Sequence, residues 1–238
     1  MFIIRLLSGP GNFIDKLAVI LGFLLIGVFS IIIHELSHGY VAFLNGDMTA
    51  KIAGRFSWNP KVHFEIKGII LLLLVGFGWA KPVPINTMNF KNYKKGMLTV
   101  SLAGVTANFL LATILALVLF LSAKIFYLTS INNVFQQFFL VFLYTLLTVG
   151  IKINLMLVLF NILPVYPLDG YNVLNTLFPR NNLFQQFMIK YGMIILLIII
   201  GLGFLGRIIG VPWLDIFGSF SDLLTDMIEK IVTEGLKI

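Results

Sequence analysis

The stretch "LAVILGFLLIGVFSIIIHELSHGYVAFL", residues 17–44, decides what class of protein this is. A helix of that length crosses the roughly 30 Å hydrocarbon core of a bilayer. Near its far end it carries His34, Glu35 and His38. Ionisable groups are costly at membrane depth, and by default they mark function there.

On a helix the pattern His-Glu-x-x-His puts His34 and His38 one turn apart, about 40° apart on the wheel. Both imidazoles can then reach one metal ion. Glu35 lies about 60° further round from His38, close enough to take a proton from the attacking water. This is the arrangement by which a zinc peptidase generates its nucleophile and later protonates the leaving amine. The bland reading is a pair of core or surface histidines. It is weakened by numbers and place: the chain has 3 histidines, two of them fall in this pattern, and the surroundings are apolar, where an unpaired glutamate is expensive.

Composition agrees with a membrane setting. The chain has 238 residues, 59% hydrophobic and 11% charged, with a mean hydropathy of +0.99; soluble domains carry about 25% charged residues. There is no cysteine, which excludes disulfides, thiolate metal ligands and a thiol nucleophile. No small-residue cleavage signal follows the first apolar run, so that run is expected to remain as an anchor. Nothing in the pattern points to nucleic acid.

Outward from this helix, residues 1–15 form a short head, and residues 45–67 are polar with glycine and proline breakers. Residues 68–79 are apolar but too short for a span, which predicts a re-entrant piece. Lys81–Asn86, "KPVPIN", interrupts any helix. Further spans are predicted at 96–123, 136–163 and 185–206, with a short helix at 171–178. Residues 213–238 alternate apolar and acidic positions at helical spacing, an amphipathic surface helix rather than a span. The expected fold is an all-α polytopic membrane protein of about four transmembrane helices, with room for short membrane-associated strands in the loops. It would be one domain over 1–238, with a core at 16–178 and a peripheral part at 185–238.

A catalytic zinc needs a third protein ligand and an open position. Asp169 stands in "PVYPLDG", where prolines stop the third span. Read alone, Asp-Gly is an ordinary turn pair, and His63 and Glu65 are rival ligands nearer in sequence. Parity favours Asp169. His34 lies about 26 Å along the helix from Leu17, near the far end of its span, and Asp169 lies at the far end of its own. The two meet if both helices run the same way, which requires residues 45–95 to begin and end on one side. That segment holds Lys51, Arg55, Lys61, Lys67, Lys81, Lys91, Lys94 and Lys95 against Asp47 and Glu65. The positive-inside rule places it in the cytoplasm, and with it a multi-pass protein of the cell membrane whose metal site is near the cytoplasmic face.

The blocks "HELSHGYVAFLNGD", "GRFSWNPKVH", "GFGWAKPVPIN", "SLAGVTANFLLA" and "INLMLVLFNILPVYPLDG" follow one another over about residues 18–175. In that order the chain resembles the site-2 protease family of intramembrane metalloproteases, most closely its short branch without PDZ or CBS domains. The resemblance implies one zinc ion per chain on His34, His38 and Asp169, with Glu35 as catalytic base. It implies a substrate or oxyanion role for Asn161, and a place along the substrate path for Asn108. For Asn108 and Asn154, interhelical hydrogen bonding is an equal reading. The implied partners are a transmembrane protein or peptide as substrate and the membrane lipids, with a homo-oligomer or a regulatory membrane protein left open. Two positions depart from the family pattern: Val105 replaces a proline, and Tyr171 a small residue. The alternative reading is a non-proteolytic membrane protein that binds or transports metal. Against it, the ionisable groups gather at one end of the spans instead of being strung across them. Lys152 is a mid-span cation with no evident partner.

Overall fold

The computed structural model describes residues 12–65, 80–178, 182–211 and 214–237. Four helices among them are long and apolar enough to cross a membrane: α1 (Phe13–Leu44), α4 (Tyr93–Leu128), α5 (Val134–Asn161) and α7 (Leu183–Ile209). Each begins at an asparagine whose side chain accepts a hydrogen bond from the main-chain N–H three residues on: Asn12 from Asp15, Asn92 from Lys95, Asn133 from Gln136 and Asn182 from Gln185. The first turn of a helix leaves N–H groups without partners, and these caps satisfy one in each span.

The polar stretch after α1 forms two short helices, α2 (Thr49–Ile52) and α3 (Pro60–His63). No strand forms among the described residues. A single antiparallel bridge joins Phe64 to Ala80. The segment at 68–79, expected to be re-entrant, lies outside the described residues. The two ends of the longer stretch 45–95 meet at one end of α1, where Lys91 N–H donates to the Asn45 carbonyl at 2.9 Å and the Asn45 amide donates to Thr99 at 3.0 Å.

Helices α1, α4 and α5 form the centre of the molecule. Contacts give their directions. Asp15 accepts from Gln137, Gly22 faces Thr145, Gly150 faces Ile26, and Ser30 accepts from Asn154, so α1 and α5 run the same way. Along α4 the order is reversed: Val100 meets His38 and Asn108 meets His34. The parallel pair that the parity argument requires is therefore present. Glycines at 22 and 150 allow close approach of the backbones, a common device where helices pack in lipid.

Two elements complete the described chain, α6 (Asp169–Leu177) and α8 (Ile216–Gly235). The amphipathic pattern of α8 is as expected from the sequence, but its apolar stripe packs on the bundle. Ile228 joins Ile26, Leu115, Leu119, Leu147 and Ile151 in one cluster. Phe217 packs on Phe160, and Thr225 accepts a 2.8 Å hydrogen bond from the Lys152 ammonium. The mid-span cation thus has its polar partner on α8.

Candidate metal centre

The end of α1 carries the histidine pair because its period turns residues 34 and 38 to one side. Both rings are buried. They stand edge to face with centroids 4.6 Å apart, and their Nε2 atoms are 3.1 Å apart. Helix α4 crosses them at Gly104. A Cβ built there would come within 2.5 Å of His34 Cε1 and of His38 Nε2, so only glycine lets α4 pass. The His38 Nδ1–H donates to the Val100 carbonyl at 2.7 Å. A carbonyl only accepts, so Nδ1 of His38 carries a proton, and in the neutral ring Nε2 offers a lone pair.

Asp169 arrives from the other side. The chain leaves α5 at Asn161 and turns through Val165, Pro167 and Leu168, with Leu168 N–H donating to the Val165 carbonyl at 2.9 Å. It re-enters a helix at Asp169. A Cβ at Gly170 would clash with the carbonyl of Ile162, so glycine is needed for α6 to fold back this tightly. Asp169 Oδ2 is then 3.3 Å from His34 Nε2 and 3.2 Å from His38 Nε2. It is buried with no hydrogen-bond partner.

Three ligand atoms thus form a triangle with edges of 3.1 to 3.3 Å. Ligands on a tetrahedral zinc at about 2.0–2.2 Å stand roughly 3.3 Å apart or slightly more. The donor set, the spacing and the unpartnered carboxylate oxygen fit a zinc ion with one open position. Among the described residues this is the one group of three or more such side chains close enough to hold a metal. His63 is elsewhere, buried, with Nε2–H donating to the Ser57 carbonyl at 2.7 Å, and Glu65 is exposed.

A cleft of about 370 Å³ opens on the triad, lined by Glu35, Asn161 and Val83 among others. Glu35 Oε2 accepts a 2.9 Å hydrogen bond from the Val83 N–H. Val83 is placed by a framework the sequence does not advertise. The Arg55 guanidinium donates to the carbonyls of Lys81 and Pro82, and Lys81 N–H donates to the His63 carbonyl at 2.7 Å. Asp47, fully buried, accepts from Asn86 N–H at 2.7 Å and from the Asn89 amide at 2.8 Å. Burial raises the Asp47 carboxyl, but the donors Thr49, Asn89 and Asn86 outweigh it and hold the group below the ordinary carboxylate value.

The three asparagines separate. Asn161 lines the cleft, with one amide N–H committed to the Leu157 carbonyl at 3.0 Å. Asn108 and Asn154 are fully buried behind His34, and the cleft lining does not include them. The sequence pattern does not mark Val83, Arg55, Asp47 or Gly104 as site residues; the signals it carries are a glycine in mid-span and charges in a loop.

No solved structure gives a significant match to the chain. "Putative zinc metalloprotease YwhC" of Bacillus subtilis (strain 168) is 38% identical over 175 residues, 72% of this chain and 76% of that protein. "Zinc metalloprotease MJ0392" of Methanocaldococcus jannaschii is 26% identical over 151 residues, 63% of this chain and 32% of the longer relative. The family model of peptidase family M50 matches residues 22–199, a range that takes in both the histidine pair on α1 and the turn that delivers Asp169. The chain belongs to peptidase family M50, the site-2 protease family.

Proposed function

We propose that this protein is a zinc-dependent intramembrane endopeptidase that hydrolyses peptide bonds in or near transmembrane segments of membrane-protein substrates. The observation that carries the reading is the convergence of His34, His38 and Asp169 within 4.8 Å of one another, at the meeting point of membrane-spanning helices and beside Glu35. His34, His38 and Asp169 would hold one zinc ion per chain. The ion supplies Lewis acidity, lowering the pKa of water and polarising a carbonyl.

The protein's own groups do the rest. Glu35 takes the proton of the attacking water and passes it to the leaving amine. The Val83 N–H fixes one oxygen of its carboxylate, leaving the other for that exchange. Asn161, which lines the cleft, holds the substrate main chain or the developing oxyanion with its remaining amide N–H. A helical substrate hides its carbonyls, so it unwinds before attack. Residues 80–86, extended and anchored by Arg55, offer an edge along which the unwound stretch can lie. Peptide hydrolysis at membrane depth needs a wet, protein-lined path, so water reaches the site through protein and not through lipid. The cation-rich segment 45–95 and the parallel course of α1 and α5 support a multi-pass protein of the cell membrane with the site near the cytoplasmic face. Residues 1–238 then form one membrane-embedded unit.

The test is cleavage of a model transmembrane substrate by purified protein in detergent or vesicles. Glu35→Gln is expected to abolish cleavage while zinc content stays that of the wild type. A Glu35→Gln protein that still cleaves at the wild-type rate would sink the proposal. So would a zinc-loaded wild type that cleaves nothing.

A further inference from the structure

Behind His34 a hydrogen-bond chain crosses three helices, and the orientation of every link in it is dictated by main-chain carbonyls. It starts on α1, where the Ser30 hydroxyl donates to the Ile26 carbonyl at 2.7 Å. With its proton committed, Ser30 Oγ can only accept. It accepts from the Asn154 amide at 2.8 Å, and the same amide nitrogen donates to the Gly150 carbonyl at 2.8 Å. Both Asn154 donors are then used, and its oxygen accepts from the Asn108 amide at 2.6 Å. The Asn108 nitrogen gives its other proton to the Ser30 carbonyl at 3.2 Å. Flipping either amide would set oxygen against oxygen. The Asn108 oxygen is thereby turned to His34, 2.6 Å from Nδ1, and the only partner it accepts there is an N–H. Ser30, Asn108 and Asn154 are all fully buried, so water offers no substitute for any link.

We propose that Asn108 and Asn154, with Ser30, are positioning residues that hold the His34 proton on Nδ1 and so present Nε2 to the metal as a lone pair. Val100 does the same for His38 through its carbonyl. The two rings and the Asp169 carboxylate oxygen then direct three electron-rich atoms at one point, which only a cation can satisfy. On this account the two asparagines touch neither substrate nor metal. The inference rests on the proposed zinc reading, and it assigns the asparagines a role in metal affinity and ring tautomer. Partners of this kind on the remote nitrogen of a ligating histidine typically change metal affinity about 10- to 100-fold.

The experiment is a zinc titration against a competing chelator, run on the full chain in detergent. It is paired with nitrogen NMR of protein labelled only in histidine, of which the chain has 3. Asn108→Leu is expected to weaken zinc binding about 10- to 100-fold with helix content retained, and to scramble the His34 tautomer of the metal-free protein. Asn108→Asp keeps an acceptor for Nδ1–H but loses the donor to Asn154 and to the Ser30 carbonyl, so it is expected to bind zinc more weakly than the wild type and more tightly than Asn108→Leu. A folded Asn108→Leu protein with wild-type affinity overturns the inference. Should Asn108→Leu fail to fold, the metal-free wild type decides, at a pH where the ring is neutral: a His34 proton on Nε2 overturns the inference, and one on Nδ1 sustains it. His34→Ala and Asp169→Ala are the controls for the zinc reading itself. If they bind zinc like the wild type, that reading fails; if they lose zinc while Asn108→Leu keeps it, only the inference fails.

Discussion

Gly104 sets how close α4 comes to the histidines. An alanine would gain up to about 1 kcal/mol of helix propensity, but its methyl group would meet both rings at 2.5 Å. Overpacking of that kind costs about 1–3 kcal/mol, and the rings yield before the backbone does. Gly104→Ala is therefore expected to leave the helices folded and to weaken zinc binding at least tenfold, measured by chelator competition. Wild-type affinity in that variant would show that the rings have more room than the structure gives them. Residues of this kind show how far the sequence could be read. His34, Glu35 and His38 were legible because one helical period carries them. Gly104 was legible only as a small residue in a span, since what a missing side chain makes room for depends on the helix opposite. Asn108 and Asn154 were legible as polar groups in lipid, with two readings open, because a direction of hydrogen bonding is a property of three helices together.

Among the elements, the segment at 80–89 was the hardest to foresee. It has no periodicity, and its position over Glu35 comes from scattered anchors, Arg55, His63 and Asp47, that lie far back in the chain. Asp47 makes that anchoring dependent on pH. Its carboxyl is held below the ordinary value of 3.8, so it contributes stability above that pH, and the contribution is lost as pH falls through the lower folded value. The wild type is expected to have a higher thermal midpoint than Asp47→Asn at neutral pH. The gap should persist down to about pH 4 and close below it. A gap that does not change with pH would mean the Asp47 charge plays no part. Helix α8 marks the same limit differently. Its acid-and-apolar spacing was plain, but an amphipathic pattern says only that one face is covered, and the cover is the α4–α5 side of the bundle, with Thr225 meeting Lys152.

For the whole molecule, direction is what builds the site. A histidine pair on α1 and a carboxylate after α5, more than a hundred residues apart, meet because α1 and α5 run the same way and α4 returns between them. The parity argument could foresee this from lengths and charges alone; the path of 68–79 it foresaw lies outside the described residues. The topology is open to labelling, since the chain has no cysteine and Asn59 and Asn92 are exposed. Asn59→Cys and Asn92→Cys should each react with an impermeant thiol reagent from the cytoplasmic side only; labelling from opposite sides would break the shared direction of α1 and α5. The metal centre itself is tested most directly by the zinc content of purified protein. The wild type and His63→Ala are expected to carry one zinc per chain, and Asp169→Ala to carry little or none. Zinc retained by Asp169→Ala and lost by His63→Ala would contradict the account at its centre.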